Sequence, residues 1–170
     1  AKNLAEAKGN AGSSGWKTIA SRSLPMQGMM KKSAFTIIAG YVFHIGLFIT
    51  IFLFAPHILL FKDVTGISWP ALPTAIVDAV TVITIITLVA VLVHRLQHRV
   101  LKFLTTNEDI IVWVVTILPL ITGYMAFHRI GTTGPMMLAI HILTVELLLV
   151  LFPFTKLMHA FTLFVSRWYT

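Results

Sequence analysis

Seven histidines stand in this sequence, and His44, His141 and His159 fall inside long apolar runs. An ionisable group at membrane depth is costly and, where it occurs, is by default functional. Neutral imidazole is an axial ligand of iron, and two imidazoles from facing helices would fill both axial positions of a haem. A haem so held has no open position, which favours electron transfer over oxygen chemistry. His141 and His159 are 18 residues apart. On one continuous helix that is five whole turns, so both would project from one face, about 27 Å apart along the axis. One face carrying two histidines at two depths suits two stacked cofactors, or one ligand and one boundary residue. His44 has little polar company among Tyr41, Val42, Phe43, Ile45, Gly46 and Leu47. Gly40 and Gly46 beside it would admit either a flat macrocycle or a neighbouring helix.

Such ligands need helices to carry them, and the composition supplies these. Of 170 residues, 57% are hydrophobic and only 11% charged, with a mean hydropathy of +0.89; a soluble domain has about a quarter charged residues. The apolar residues lie in four runs, roughly 34–60, 72–95, 109–128 and 135–164, each long enough to cross about 30 Å of hydrocarbon. Pro70 and Pro73 mark the start of the second run, Asn107, Glu108 and Asp109 suit the first turn of the third, and Pro135 suits the start of the fourth. The expected fold is an all-α integral membrane protein: an extramembrane arm over residues 1–33, with a short helix around Trp16 to Ile19, then a four-span bundle over 34–165. The formal charge of +7 does not call for nucleic acid, because the basic residues collect at helix ends. Lys17, Arg22, Lys31, Lys32, Arg95, Arg99, Lys102, Lys156 and Arg167 fall on one side and only Lys62 and Arg129 on the other. Both termini are therefore expected in the cytoplasm, with the chain a multi-pass protein of a prokaryotic inner membrane.

With the first and fourth spans antiparallel, four histidines sort into an inner pair, His44 with His159, and an outer pair, His57 with His141. The outer pair has a difficulty. His57 follows His44 by 13 residues, about 220° of rotation on a straight helix, unless Pro56 bends the end of the span. His128, at the outer end of the third span, is a rival ligand. His94 and His98 belong to the basic end of the second span and are expected to meet headgroups. Quinone chemistry couples electrons to protons and needs a titratable group near the ring. Glu146, amid leucines in the fourth span, is one candidate; Asp78 and Lys62, on the outer side, are two more.

These residues carry a resemblance. Phe43-His44-Ile45-Gly46 resembles the opening of the histidine-bearing span in the gamma subunit of respiratory nitrate reductase. Leu151-Phe152-Pro153-Phe154-Thr155-Lys156-Leu157-Met158-His159, with His141 ahead of it, is similar to the last span of that family. Thr105-Thr106-Asn107-Glu108-Asp109-Ile110 and Leu120-Ile121-Thr122-Gly123-Tyr124 fit its loop and preceding span. The likeness covers roughly residues 35–165 and extends to cytochrome b subunits of sulfite-reductase-associated and heterodisulfide-reductase-type membrane complexes. It implies two b haems, a quinone site near the outer haem, and iron–sulfur and catalytic subunits docked on the cytoplasmic face. It also implies His44 and His159 as ligands of the inner haem and His141 as one ligand of the outer. The family has its second outer ligand ten residues after the first histidine of the span, where this chain has Phe54, so His57 must take that place or the outer haem is lost. The family also carries a further span ahead of these, without a counterpart here.

There is no cysteine, which excludes thiolate-held iron–sulfur clusters and covalently attached haem c within this chain. No nucleophile–base pair, phosphate loop or oxyanion device is recognisable, so any substrate chemistry belongs to a complex. A cofactor-free membrane anchor, or a small ion-conducting or transport subunit using His44 and Glu146, is the alternative; transporters of that kind often show internal repeats, and none is visible.

Overall fold

A computed structural model of the protein describes residues 10–25 and 28–168, and every regular element among them is helical. Helix α1 (Ala11–Arg22) is followed by α2 (Met29–Phe52), α3 (Ala55–Thr65), α4 (Thr74–Gln97), α5 (Arg99–Phe103), α6 (Asn107–His128) and α7 (Gly134–Leu151). Two 3-10 turns, Phe152–Phe154 and Lys156–Met158, then lead into α8 (His159–Trp168). Four stretches are long and apolar enough to cross a membrane: Ser33–Phe52, Thr74–Gln97, Asn107–His128 and Gly134–Phe154. Large apolar side chains such as Ile86, Leu143 and Val150 point outward from them, as lipid-facing residues do. The helix expected around Trp16 is α1; residues 1–9 of the expected arm lie outside the described residues.

Two of the expected spans are not continuous helices, and each break sits at a proline. In the first, α2 ends at Phe52 and α3 restarts at Ala55 after an extended Phe54. Pro56, in the first turn of α3, has no N–H to give, and its ring would collide with the Phe52 carbonyl if the helix ran on. The carbonyls that the broken helix leaves free find other donors, as the hydrocarbon interior demands. Phe52 O accepts the Trp69 indole N–H, Leu53 O accepts the Leu72 amide, and Thr50 O accepts His57 Nδ1. In the fourth span, α7 stops at Leu151. Pro153 opens the first 3-10 turn, Thr155 is extended, and α8 begins at His159 itself. The five continuous turns expected between His141 and His159 are therefore absent, and the two residues do not share a helix.

Helix packing runs as an arc: α2 against α4, α4 against α6, α6 against α7, while α1 packs on α8 at one end of the bundle. The contact between α2 and α4 is built from small and hydroxylated residues. Gly46 lies directly against Thr84, and Thr50 Oγ1 meets Thr81 Oγ1 at 3.1 Å. Thr81 and Thr84 each return their hydroxyl protons to the carbonyl four residues earlier, so the buried hydroxyls cost little. Gly46 is thus a helix-packing glycine, and Gly40 faces open space. Leu88, Ile117 and Leu120 form the apolar centre between α4 and α6, with the Trp113 indole donating to Leu88 O at 2.9 Å. The helices at the two ends of the arc, α2 and α7, share no comparable packing.

Candidate functional site

The histidines bridge the two ends of that arc. At the end of the bundle near α1 and α8, the rings of His44 and His159 stand perpendicular with centroids 5.9 Å apart. At the opposite end the rings of His57 and His141 are nearly parallel, 15° apart in plane, with centroids at 6.2 Å. Two imidazoles on opposite sides of one metal ion have centroids roughly 6 Å apart, from bonds of about 2 Å plus half a ring on each side. Both separations match that distance.

The protonation pattern is as informative as the spacing. A ligating imidazole gives the proton of one ring nitrogen to an oxygen and turns the other to the metal. His44 Nδ1 is 2.7 Å from Gly40 O, His57 Nδ1 is 2.9 Å from Thr50 O, and His159 Nδ1 is 2.8 Å from Lys156 O. A carbonyl oxygen only accepts, so these three rings carry their proton on Nδ1 and present the Nε2 lone pair. His141 Nδ1 lies 3.3 Å from Thr122 Oγ1. The Thr122 hydroxyl spends its proton on Leu118 O at 2.8 Å, so it accepts from His141 and gives that ring the same tautomer. Thr144 Oγ1, 3.0 Å from Thr122 and bonded to the His141 carbonyl, closes the group.

The remaining histidines do not share the pattern. His128 directs Nε2 at Asp78 Oδ1, 3.3 Å away, and its ring packs on Tyr124 at 4.3 Å between centroids. The nitrogen a rival ligand would need is occupied. His94 rests against Phe35 and His98. Among the described residues no three His, Cys, Asp or Glu side chains gather as a multidentate ion site would require.

The straight-helix objection to His57 is removed by the break at Leu53–Phe54, which resets the phase of α3, and by the Thr50 carbonyl that the break frees. Phe54 lies edge-on to His57 at 5.3 Å and against Phe127 at 5.0 Å; Phe127 in turn meets His128 at 5.2 Å. These rings connect the outer pair to the Asp78–His128 contact. The other proton candidates lie apart. Glu146 is exposed and makes no hydrogen bond or ion pair with any described residue; it points about 140° around α7 from His141. Lys62 is exposed in the last turn of α3.

Several residues that support the site were not singled out as functional from the sequence: Thr50, Thr122, Gly123 and Glu108. Thr122 and Gly123 did stand in a stretch of family resemblance, which was the available signal. Gly123 provides the floor on which His141 lies. A Cβ there would sit 2.8 Å from His141 Cε1 and 3.1 Å from Nδ1. Gly123→Ala is expected to push the ring off Thr122 while leaving the chain folded, because a side chain rather than backbone must yield. The check is the spectrum of whatever group the His57–His141 pair binds: it should change in this variant, with the melting temperature within a few degrees of the parent.

A protein of Nitratidesulfovibrio vulgaris (strain Hildenborough), called simply "Protein", is 36% identical to this chain over 137 residues. The match takes in 81% of this chain and 60% of that protein, so the chain spans about three-fifths of its relative's length. No protein-family model matches the chain, and no solved structure does.

Proposed function

We propose that this chain is a di-haem cytochrome b subunit, carrying electrons through the membrane between quinone and an iron–sulfur partner subunit. The observation that supports it is the pair of imidazole couples, His44 with His159 and His57 with His141. Each has centroids near 6 Å, each presents Nε2, and each spans the gap between α2–α3 and α7–α8. The donor set fits haem b, since axial ligation asks for one unprotonated nitrogen from each side and no third residue. Haem b held there supplies one-electron transfer at two depths. The chain's own residues fix the ligand tautomers through Gly40, Thr50, Thr122 and Lys156.

In the same proposal both termini and the His44–His159 pair lie on the cytoplasmic side of a prokaryotic inner membrane, where the basic residues concentrate. Iron–sulfur and catalytic subunits would dock there. Quinone would exchange electrons near the outer pair. Of the three proton candidates, Asp78 is favoured by its contact with His128 and by the ring contacts joining His128 to His57. Glu146 and Lys62 lack such a link.

The test is optical. Purified full chain should give a reduced-minus-oxidised spectrum with b-type bands and two haems per polypeptide. A colourless preparation from haem-sufficient cells would leave the cofactor-free anchor or the small ion-conducting or transport subunit.

A further inference from the structure

The break that ends the fourth span is held from outside, by the first turn of α6. Glu108 Oε1 accepts the backbone amide of Lys156 at 2.9 Å. The carbonyl of that same residue accepts His159 Nδ1 at 2.8 Å. The two bonds act on the two sides of one residue in the 3-10 turn Lys156–Met158, immediately before α8 begins. Around them, Lys156 Nζ reaches Asp109 Oδ1 at 2.8 Å and Thr106 Oγ1 at 3.3 Å. Asp109 also meets Arg95 at 3.2 Å and caps its own helix through Thr106. The terminus of α6 is therefore fixed by its capping box and by α4, and it lends that rigidity to the turn. Without the anchor, a short segment containing Pro153 and an extended Thr155 would have no other bond to α6 through its backbone.

We propose that Glu108 is the positioning residue of the inner site: by binding the Lys156 amide it sets the carbonyl that aims His159. The proposal rests on the di-haem reading above. It gives a carboxylate outside the ligand set a defined task, because the orientation of an axial imidazole is governed by the acceptor of its other nitrogen. Glu108 Oε2 also lies 3.8 Å from Lys156 Nζ, but the closer hold on that side chain is Asp109, at 2.8 Å, which caps its own helix as well.

Glu108→Ala, Glu108→Asp and Glu108→Gln in the full chain test this. Hydrogen–deuterium exchange at the Lys156 amide reads the anchor independently of any cofactor. It should quicken about tenfold or more in Glu108→Ala, the scale of losing a hydrogen bond to a charged acceptor. The electron paramagnetic resonance spectrum and midpoint potential of the oxidised inner haem should shift in the same variant, while the outer haem keeps the parental values. Glu108→Gln, whose amide oxygen can still accept, should restore both readouts. Should Glu108→Ala fail to accumulate, Glu108→Asp, one methylene too short, should show the same changes to a smaller degree. Parental exchange and parental inner-haem spectra in whichever of these two variants folds would overturn the role of Glu108 alone. A parent chain that binds no haem would instead sink the di-haem reading, and with it any role toward iron.

Discussion

If the chain is the di-haem cytochrome proposed above, His159→Ala should reduce the haem content of the purified chain from two per polypeptide to one, with the surviving signal assignable to the outer pair. His159 opens α8 and reaches across to His44, the rings 5.9 Å apart. Removing it leaves His44 with an open site opposite, and no other histidine is placed to substitute. His94 packs at a tilt against Phe35, and His128 is committed to Asp78 at the far end of the bundle. Changing an outer-shell partner of a metal ligand costs roughly 10–100-fold in affinity; removing the ligand itself should exceed that. His57→Ala is the matching change at the other end and should remove the outer signal alone. Haem quantitation with low-temperature spectra of both variants distinguishes the sites. Full haem content in His159→Ala would end the assignment of the inner pair.

Gly46→Val is expected to be the most damaging single substitution for folding. A Cβ at Gly46 would lie 2.0 Å from Thr84 Oγ1 and 3.2 Å from Thr84 Cβ. Thr84 is fully buried and its hydroxyl is bonded to Val80 O at 2.7 Å, so the collision cannot be relieved by swinging a free side chain away. The helices must separate, which loosens the Thr50–Thr81 contact one turn further along. Overpacking of this kind costs about 1–3 kcal/mol, and a branched side chain against a buried threonine belongs at the upper end. Gly40→Ala is the control, since a Cβ there meets nothing within 4 Å. Thermal unfolding in detergent should show a large drop for the first and almost none for the second. Equal stability of the two variants would contradict the packing described for α2 and α4.

The number of apolar helices long enough to span, and the extent of the second and third, were legible in the sequence because hydrocarbon imposes a length and a composition on anything that crosses it. The second and third expected runs, 72–95 and 109–128, differ from α4 and α6 by no more than two residues at either end. That His44 lies near His159 and His57 near His141 was legible too, since it follows from antiparallel connection. Aim was not. On ideal helices His57 points away from His44, and His159 shares a face with His141; the chain breaks both helices at Pro56 and Pro153 and re-aims both residues. Proline marks where a helix can fail, but the direction of the restarted segment depends on what receives the freed polar groups. Those partners, Trp69, Leu72 and Glu108, are remote or inconspicuous in sequence.

From the sequence alone came the apolar spans, the crowding of basic residues toward one side, and the presence of imidazoles at two levels. Each is a property of residue type and period, which need no partner to be read. Only the tertiary structure decided which ring nitrogen is free, that His128 is occupied by Asp78, that Glu146 faces outward and that Gly46 packs against Thr84. The His44, His57 and His159 nitrogens are set by carbonyls three to seven residues earlier, whereas the His128 and Gly46 contacts join different helices and exist only once those helices have packed.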